Sequence, residues 1–236
     1  MLVSIPRVAR STSFSLHGLT YFSGVAGLNA AKIFHELHPE RSLAVLEASP
    51  TIGGTWSAHR LYPGLKSNNL LGTYEYPDFP MDPKMFGVKP GQHIPGTVIH
   101  DYLTKYCKHF GIVDKIRCGC LVLSAEHQED DSGGWLLTVL EGDTERKLFA
   151  KKLVLATGVT SQPFLPDIEG QQNFNAPIFH SKEFLRYANT LDSASSVTIF
   201  GGTKSAWDIV YQYAIKGIKV DWVIRGKSTR DTEDET

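Results

Sequence analysis

The chain of 236 residues is 42% hydrophobic and 21% charged, an ordinary globular composition with apolar material for one large or two small cores. A net charge of −1 argues against a nucleic-acid partner, and the lack of an apolar run of about 18 residues argues against a membrane span. Cys107, Cys118 and Cys120 lack metal-type spacing and read as reduced thiols of a cytoplasmic chain without a metal site; Cys118 and Cys120 alternate along a strand-like run and are expected on one face.

Residues 1–23 contain no acid and carry Arg7 and Arg10 among several serines. That composition resembles a mitochondrial presequence; the alternative is a degenerate or disordered start. Gly24 to Leu37 predicts a helix, with Leu28, Ala31, Phe34 and Leu37 at helical spacing and His38-Pro39 as its stop. Ser42 to Glu47 predicts a buried strand ending in an acid. Glu47 follows Gly27 by twenty positions, the spacing at which a dinucleotide fold offers a carboxylate to ribose hydroxyls. If Gly24 and Gly27 are the second and third glycines of that fingerprint, Phe22 stands where the first belongs. The preceding Leu16 to Tyr21, LHGLTY, lacks the Val/Ile run of a central parallel strand, so the strand feeding the helix is expected to be damaged.

Residues 47–81 read as a long loop rich in Gly, Pro, Asn and aromatic residues. Gly53 and Gly54 permit close approach to a ligand, and Trp56 offers a flat apolar surface; the alternative is a loop folded under itself by its aromatics. Ile94 to Phe110 predicts an amphipathic helix with Thr97 as N-cap and Ile99, Tyr102, Leu103 and Tyr106 on its apolar side. His100 and His109 read as surface or packing residues. Three strands follow, Ile116–Ala125, Trp135–Leu140 and Lys147–Ala156, as an antiparallel meander. Within the last, Leu153–Leu155 has the character of a buried strand, and Thr157-Gly158 turns at its C-terminal end, where parallel sheets bind ligands. Pro163, Pro166 and Gly170 mark a stiff connector.

Val197 to Arg225 reads as strand, glycine turn, helix and strand. The run Val197–Phe200 leads to Gly201 and Gly202, a helix follows from Lys204 to about Lys216, and Val220–Arg225 is the second strand. Such a βαβ unit sets a helix N-terminus against a pyrophosphate, and a cation at Arg225 suits a ribose 2′-phosphate, so this stretch predicts an NADPH site. The sequence predicts an α/β fold: two Rossmann-like dinucleotide-binding units with an antiparallel β-meander, the second unit incomplete. The expected divisions are a degenerate start (1–23), a first nucleotide-binding domain (24–166), a partial NADPH-binding domain (167–225) and a polar tail (226–236).

Several motifs in one order resemble the flavin-containing monooxygenase superfamily, which includes N/S-oxygenating and Baeyer–Villiger enzymes. Gly24, Gly27 and Glu47 resemble its FAD fingerprint. Gly53-Gly54-Thr55-Trp56 matches GGTW, Tyr62 to Asn68 the YPG-x-x-[ST]-N segment, and Tyr76 to Pro80 the PDFP segment. Leu155 to Gly158 resembles the ATG motif, Phe174 to His180 the F-x-G-x-x-x-H fingerprint with Ala176 in place of Gly, and Gly201 to Ala206 the G-x-G-x-S-[GA] fingerprint with Thr203 in place of Gly. Phe184 stands where Baeyer–Villiger enzymes carry Trp, which leans towards the heteroatom-oxygenating type.

The resemblance implies an FAD- and NADPH-dependent monooxygenase that inserts one oxygen atom from O2 into a small organic substrate through a C4a-hydroperoxyflavin; members are usually about twice this length, so the alternative it implies is a truncated chain without activity. It places Asn68 near the flavin's reactive edge, with an Asx-turn as the alternative, and Lys66 as a further catalytic candidate or else a solvated lysine. It assigns Gly54, Thr55, Trp56, Val122, Thr157 and Gly158 to the flavin, and Gly201, Gly202, Ser205 and Arg225, with Lys227, to NADPH. His180 is expected to be a structural hinge contact. The competing readings are a catalytically inactive remnant or nucleotide-binding module, and a flavin disulfide reductase, which the missing redox cysteine pair disfavours.

Overall fold

The computed structural model describes residues 14–21, 23–129, 133–158 and 162–226; Phe22, Lys227, the start through residue 13 and the tail beyond 226 lie outside them. The first half contains β1 (Phe14–Leu16), β2 (Gly18–Tyr21), α1 (Val25–Leu37), β3 (Leu43–Glu47), β4 (Lys66–Leu70), α2 (Pro83–Phe86), β5 (His93–Pro95) and α3 (Gly96–His109). Then come β6 (Ile116–Cys118), β7 (Cys120–His127), β8 (Trp135–Glu141), β9 (Thr144–Ala150) and β10 (Leu153–Leu155). The last part holds α4 (Thr190–Ser193), β11 (Ser196–Phe200), α5 (Lys204–Ile215) and β12 (Lys219–Val223).

A parallel sheet of order β10-β2-β3-β6 lies against a second sheet of order β1-β9-β8-β7, in which β1 runs parallel to β9 and the other pairs are antiparallel. β3, in the parallel sheet, sends side chains into the cores on both of its faces. Successive side chains on a strand point to opposite faces. Accordingly Leu43 and Val45 join the core under α1 and α3, with Leu28, Ala31, Ile99, Leu103 and Tyr106, while Ala44 and Leu46 join the core of the second sheet, with Leu137, Val139 and Leu148. Both faces being covered explains why the run is apolar without alternation.

The expectation of a damaged first strand is corrected. β2 occupies an interior position of the parallel sheet, with Gly18 opposite Leu43 and Tyr21 opposite Leu46. Its lack of a Val/Ile run has a packing cause: a Cβ on Gly18 would meet the Phe34 ring of α1 at 2.7 Å, so the helix side chain fills the space a strand side chain would take. Residues 14–21 thus supply strands to both sheets rather than forming a detached start.

Other boundaries also move. The predicted strand 116–125 is two strands: Gly119, at φ +73°, turns the chain from β6 in the parallel sheet to β7 in the second sheet. Cys118 is therefore exposed on one sheet while Cys120 is buried on the other, and they share no face. The predicted strand 147–156 likewise divides into β9 and β10. β10 is an edge strand with Val154 and Leu155 exposed, not a buried one. Thr97 does not cap α3; the helix starts after Pro95 with no side-chain cap, and Leu37 of α1 is exposed. β4, read as loop, pairs antiparallel with β5.

The aromatics of the long loop pack beneath it. Tyr76 and Phe79 join Tyr102 and Tyr106 of α3, and Tyr76 donates to the Val25 carbonyl (2.6 Å), tying the loop to the first turn of α1. A third core contains Phe184, Leu191, Ile209 and Tyr213, with Val197, Ile199 and Val220 facing it from the parallel pair β11–β12. No helix among the described residues is long and apolar enough to cross a membrane.

Candidate functional site

Two places collect the polar chemistry. The first is the N-terminus of α1. Gly24 caps the helix in an extended conformation, contributes no side-chain cap, and no acid stands in the first turn. The first-turn N–H groups and the positive end of the helix dipole therefore have no side-chain acceptor of their own. The loop after β3 crosses closely here: Gly53 N–H donates to the Ser23 carbonyl (2.9 Å), and a Cβ on Gly54 would stand 3.1 Å from Gly24 Cα. Gly53 and Gly54 have φ of +112° and +59°, conformations in which a side chain is strained.

Glu47 ends β3 beside this crossing and is 1% exposed. Its carboxylate accepts from Ser23 N–H (2.9 Å), Ser23 O–H (2.8 Å) and Ser49 N–H (2.8 Å). A buried carboxylate is tolerated when such donors replace its water. The paired serine hydroxyl shows that the carboxylate can take a hydroxyl as its partner. The glycine crossing, the uncapped helix end and this carboxylate fit a dinucleotide.

The second place is a cleft of about 280 Å³ between the loop around Trp56, strand β4, the Ser181-Lys182 turn and the start of α5. Of the sequence-predicted site residues, Thr55, Trp56, Lys66, Asn68 and Ser205 line it together. Trp56 is held by donating its indole N–H to Tyr74 Oη (2.8 Å), and its carbonyl accepts from the His100 ring (3.0 Å), so His100 is a packing residue. Asn68 is exposed on strand β4, not in an Asx-turn loop. The other predicted residues lie elsewhere. Gly27 is buried in α1. Thr157 and exposed Gly158 follow β10, and Val122 half-packs in the second sheet's core. Gly201 (φ +123°) and Gly202 lead into α5, whose N-cap Thr203 supplies no side-chain bond. Gly202 has no room for a side chain, because a Cβ would meet Ile224 at 2.9 Å. Arg225 is exposed just past β12, which ends at Val223 rather than Arg225.

Arg60, Tyr62, Tyr74, Ser181, Lys182 and Lys204 also line the cleft, and sequence reasoning gave none of them a role there. Tyr62 donates to Asp208 of α5 (2.8 Å), which also pairs with Lys204. Burial, then the bond to Asp208, raises the Tyr62 phenol above its ordinary range. Arg60 donates to the Gly54 carbonyl (3.2 Å), and burial lowers its ionisation. Burial and then Arg60 lower that of Lys182. His180 accepts the Lys182 N–H (3.1 Å), and burial, then Lys182, lowers its ionisation. Phe184 is fully buried between Tyr62, Phe179 and Tyr213.

A family model described as L-lysine 6-monooxygenase/L-ornithine 5-monooxygenase matches residues 92–236. The chain belongs to this monooxygenase family. An FAD-dependent monooxygenase, rstn6 of Aspergillus nomiae, is 37% identical over 213 residues, covering 86% of this chain and 36% of that protein. Senecionine N-oxygenase of Tyria jacobaeae is 27% identical, covering 80% of this chain and 42% of that one. The chain thus spans about a third of the length of the first of these relatives. Among solved structures, Tmm from a Pelagibacter species superposes with a TM-score of 0.75 at 22% identity, over 89% of this chain and 51% of that one. Closed cyclohexanone monooxygenase superposes at 0.73 and 22% identity, over 91% and 39% respectively. The motif resemblance to flavin-containing monooxygenases and the mixed α/β fold agree with these findings.

Proposed function

We propose that this chain carries the cofactor-facing part of an FAD- and NADPH-dependent monooxygenase that transfers one oxygen atom of O2 to a small organic substrate, in secondary metabolism. The observation that carries the reading is Glu47, a buried acid already engaged with a hydroxyl, beside the side-chain-free crossing of Gly24 and Gly54. Residues 24–166, with β1 and β2, serve as the flavin-facing unit, and residues 167–225 as the partial NADPH unit. A bound flavin reduced by NADPH supplies the oxygen chemistry.

The chain's own groups bind and orient. The first-turn N–H groups of α1 hold the FAD pyrophosphate, and Glu47 takes ribose hydroxyls. Gly54, Thr55, Trp56, Thr157, Gly158 and Val122 border the flavin. Asn68 directs its amide into the cleft where substrate and flavin meet, with Lys66 beside it on β4. Gly201, Gly202 and Ser205 at the start of α5 hold the NADPH pyrophosphate, and Arg225 the 2′-phosphate. Heteroatom oxygenation is favoured over Baeyer–Villiger chemistry by Phe184 and by the relative that is an N-oxygenase. Purified protein incubated with FAD is expected to retain yellow colour through gel filtration and to consume NADPH under O2. A colourless protein that takes up no FAD would sink the proposal.

A second reading is a nucleotide-binding module without turnover. FAD retention without NADPH oxidation would select it.

A further inference from the structure

Trp222 directs its one polar group at the glycine turn ahead of α5. Its indole N–H donates to the Gly201 carbonyl (2.7 Å), and an indole has no second donor and no acceptor. The placement follows from the strand. Val220 packs into the third core with Ile209 and Tyr213 of α5, and residues two apart on a strand share a face, so Trp222 also stands on the α5 side of β12. There its ring meets that of Trp207, in the first turn of α5, edge to face with centroids 4.6 Å apart. The strand register sets Trp222 opposite Ile199, two residues before Gly201.

Gly201 is thereby held at both of its backbone groups by β12. Its N–H donates to the Val223 carbonyl (2.9 Å), and its carbonyl accepts the Trp222 indole. At φ +123° Gly201 occupies a region that favours glycine, and a glycine has several other backbone conformations open to it. The bond to Val223 fixes the peptide plane before Gly201; the indole bond fixes the plane after it. That peptide is trans and planar, so the Gly202 N–H points opposite to the Gly201 carbonyl, away from Trp222. Among the described residues nothing accepts from this N–H. It stands at the head of α5, where the N-cap Thr203 supplies no side-chain bond and the first turn holds no acid. Half a rotation of the same peptide would exchange that donor for a carbonyl oxygen, which repels an anion.

We propose that Trp222 is a positioning residue for the dinucleotide: its indole holds the Gly201–Gly202 peptide in the orientation that offers the Gly202 N–H to the pyrophosphate. The inference rests on the reading of Gly201, Gly202 and Ser205 as the NADPH pyrophosphate site and adds what sets the geometry of that turn. Without the indole the rotated peptide competes, and apparent affinity falls with the fraction of molecules left competent.

Calorimetric titration of the purified chain with NADP+ and with adenosine 2′-monophosphate tests this. The second probe keeps the 2′-phosphate suited to Arg225 and lacks the pyrophosphate. Trp222→Phe keeps a ring against Trp207 and removes the donor. It is expected to bind NADP+ about fivefold more weakly than the parent, the scale of one neutral hydrogen bond, and adenosine 2′-monophosphate within about twofold. Trp207→Phe, which leaves the indole bond and a ring contact in place, should keep NADP+ affinity within about twofold. NMR of the isotope-labelled parent gives a second readout: NADP+ should shift the Gly202 amide resonance and leave the Trp222 indole N–H protected from exchange. Unchanged NADP+ affinity in Trp222→Phe, an equal loss for both ligands, or a Gly202 amide that NADP+ does not shift overturns the proposal. If Trp222→Phe does not fold, the amide shift decides alone. A parent that binds no NADP+ overturns it together with the NADPH reading. Protein that takes up no FAD yet loses NADP+ affinity in Trp222→Phe defeats only the monooxygenase reading; protein that takes up FAD and binds NADP+ equally with and without the indole defeats only this one.

Discussion

Glu47 offers the sharpest test of how the chain is held where β3 ends. One carboxylate oxygen accepts both Ser23 donors and the other accepts Ser49 N–H, at 2.8 to 2.9 Å, in a site 1% exposed. Glu47→Gln keeps the shape but offers one oxygen and one NH2. Whichever way the amide turns, a backbone N–H of Ser23 or Ser49 then faces an N–H. An unsatisfied buried donor costs about 1–3 kcal/mol, so a loss of about 2 kcal/mol is expected. For a chain of this size that lowers Tm by about 4–8 °C. Glu47→Ala removes both acceptors and leaves a cavity, for about 3–5 kcal/mol. Thermal unfolding followed by circular dichroism reads both variants. If Glu47→Gln melts within about 1 °C of the parent, the three bonds do not carry the turn and the reasoning is wrong. FAD titration separates the cofactor role: the same variant should bind FAD about tenfold more weakly, and unchanged affinity would leave Glu47 a structural acid only.

Four other outcomes are expected. Gly64→Ala forces a side chain at φ +78° and places its Cβ 2.0 Å from Gln212 Nε2, so it should destabilise by more than the ~1 kcal/mol of backbone strain, and Gln212→Ala should restore the excess in a double-mutant cycle by chemical denaturation. Gly54→Ala, at φ +59° with its Cβ 3.1 Å from Gly24 Cα, should reduce FAD retention more than it reduces stability; full FAD retention on gel filtration would count against the crossing as a cofactor cradle. Burial pushes the Cys107 thiol from 9.0 up to about 12. Its folded form stays protonated where the unfolded one ionises, so its contribution to stability is present below about 9 and lost as pH rises towards about 12. Cys107→Ser should flatten that alkaline decline in unfolding titrations. In the folded parent, iodoacetamide should modify exposed Cys118 before buried Cys107.

The helix at Val25–Leu37, the strand at Leu43–Glu47, the helix at Gly96–His109 and the β11–α5–β12 unit could all be read from the chain. Their signals are local: apolar spacing at the period of the element, bounded by Gly or Pro. The motif order likewise identified the family. Strand partners could not be read, because pairing is chosen by residues distant in sequence. LHGLTY becomes a parallel strand through Phe34, which fills the space above Gly18. Lys66–Leu70 becomes an antiparallel strand because His93–Pro95 lies alongside it, with little apolar content of its own to announce it. Cys118 and Cys120 part company at Gly119 since two sheets, not one, receive the chain there.

The cleft shows the same division. GGTW, Lys66, Asn68 and Ser205 are recognisable as motif residues, and the sequence alone determines that nucleotide-type chemistry is present. That Arg60 and Lys182 join them was decided by tertiary structure. Charge has no periodicity to betray it along a chain, so which cations line a cleft is set only when folding brings their turns together.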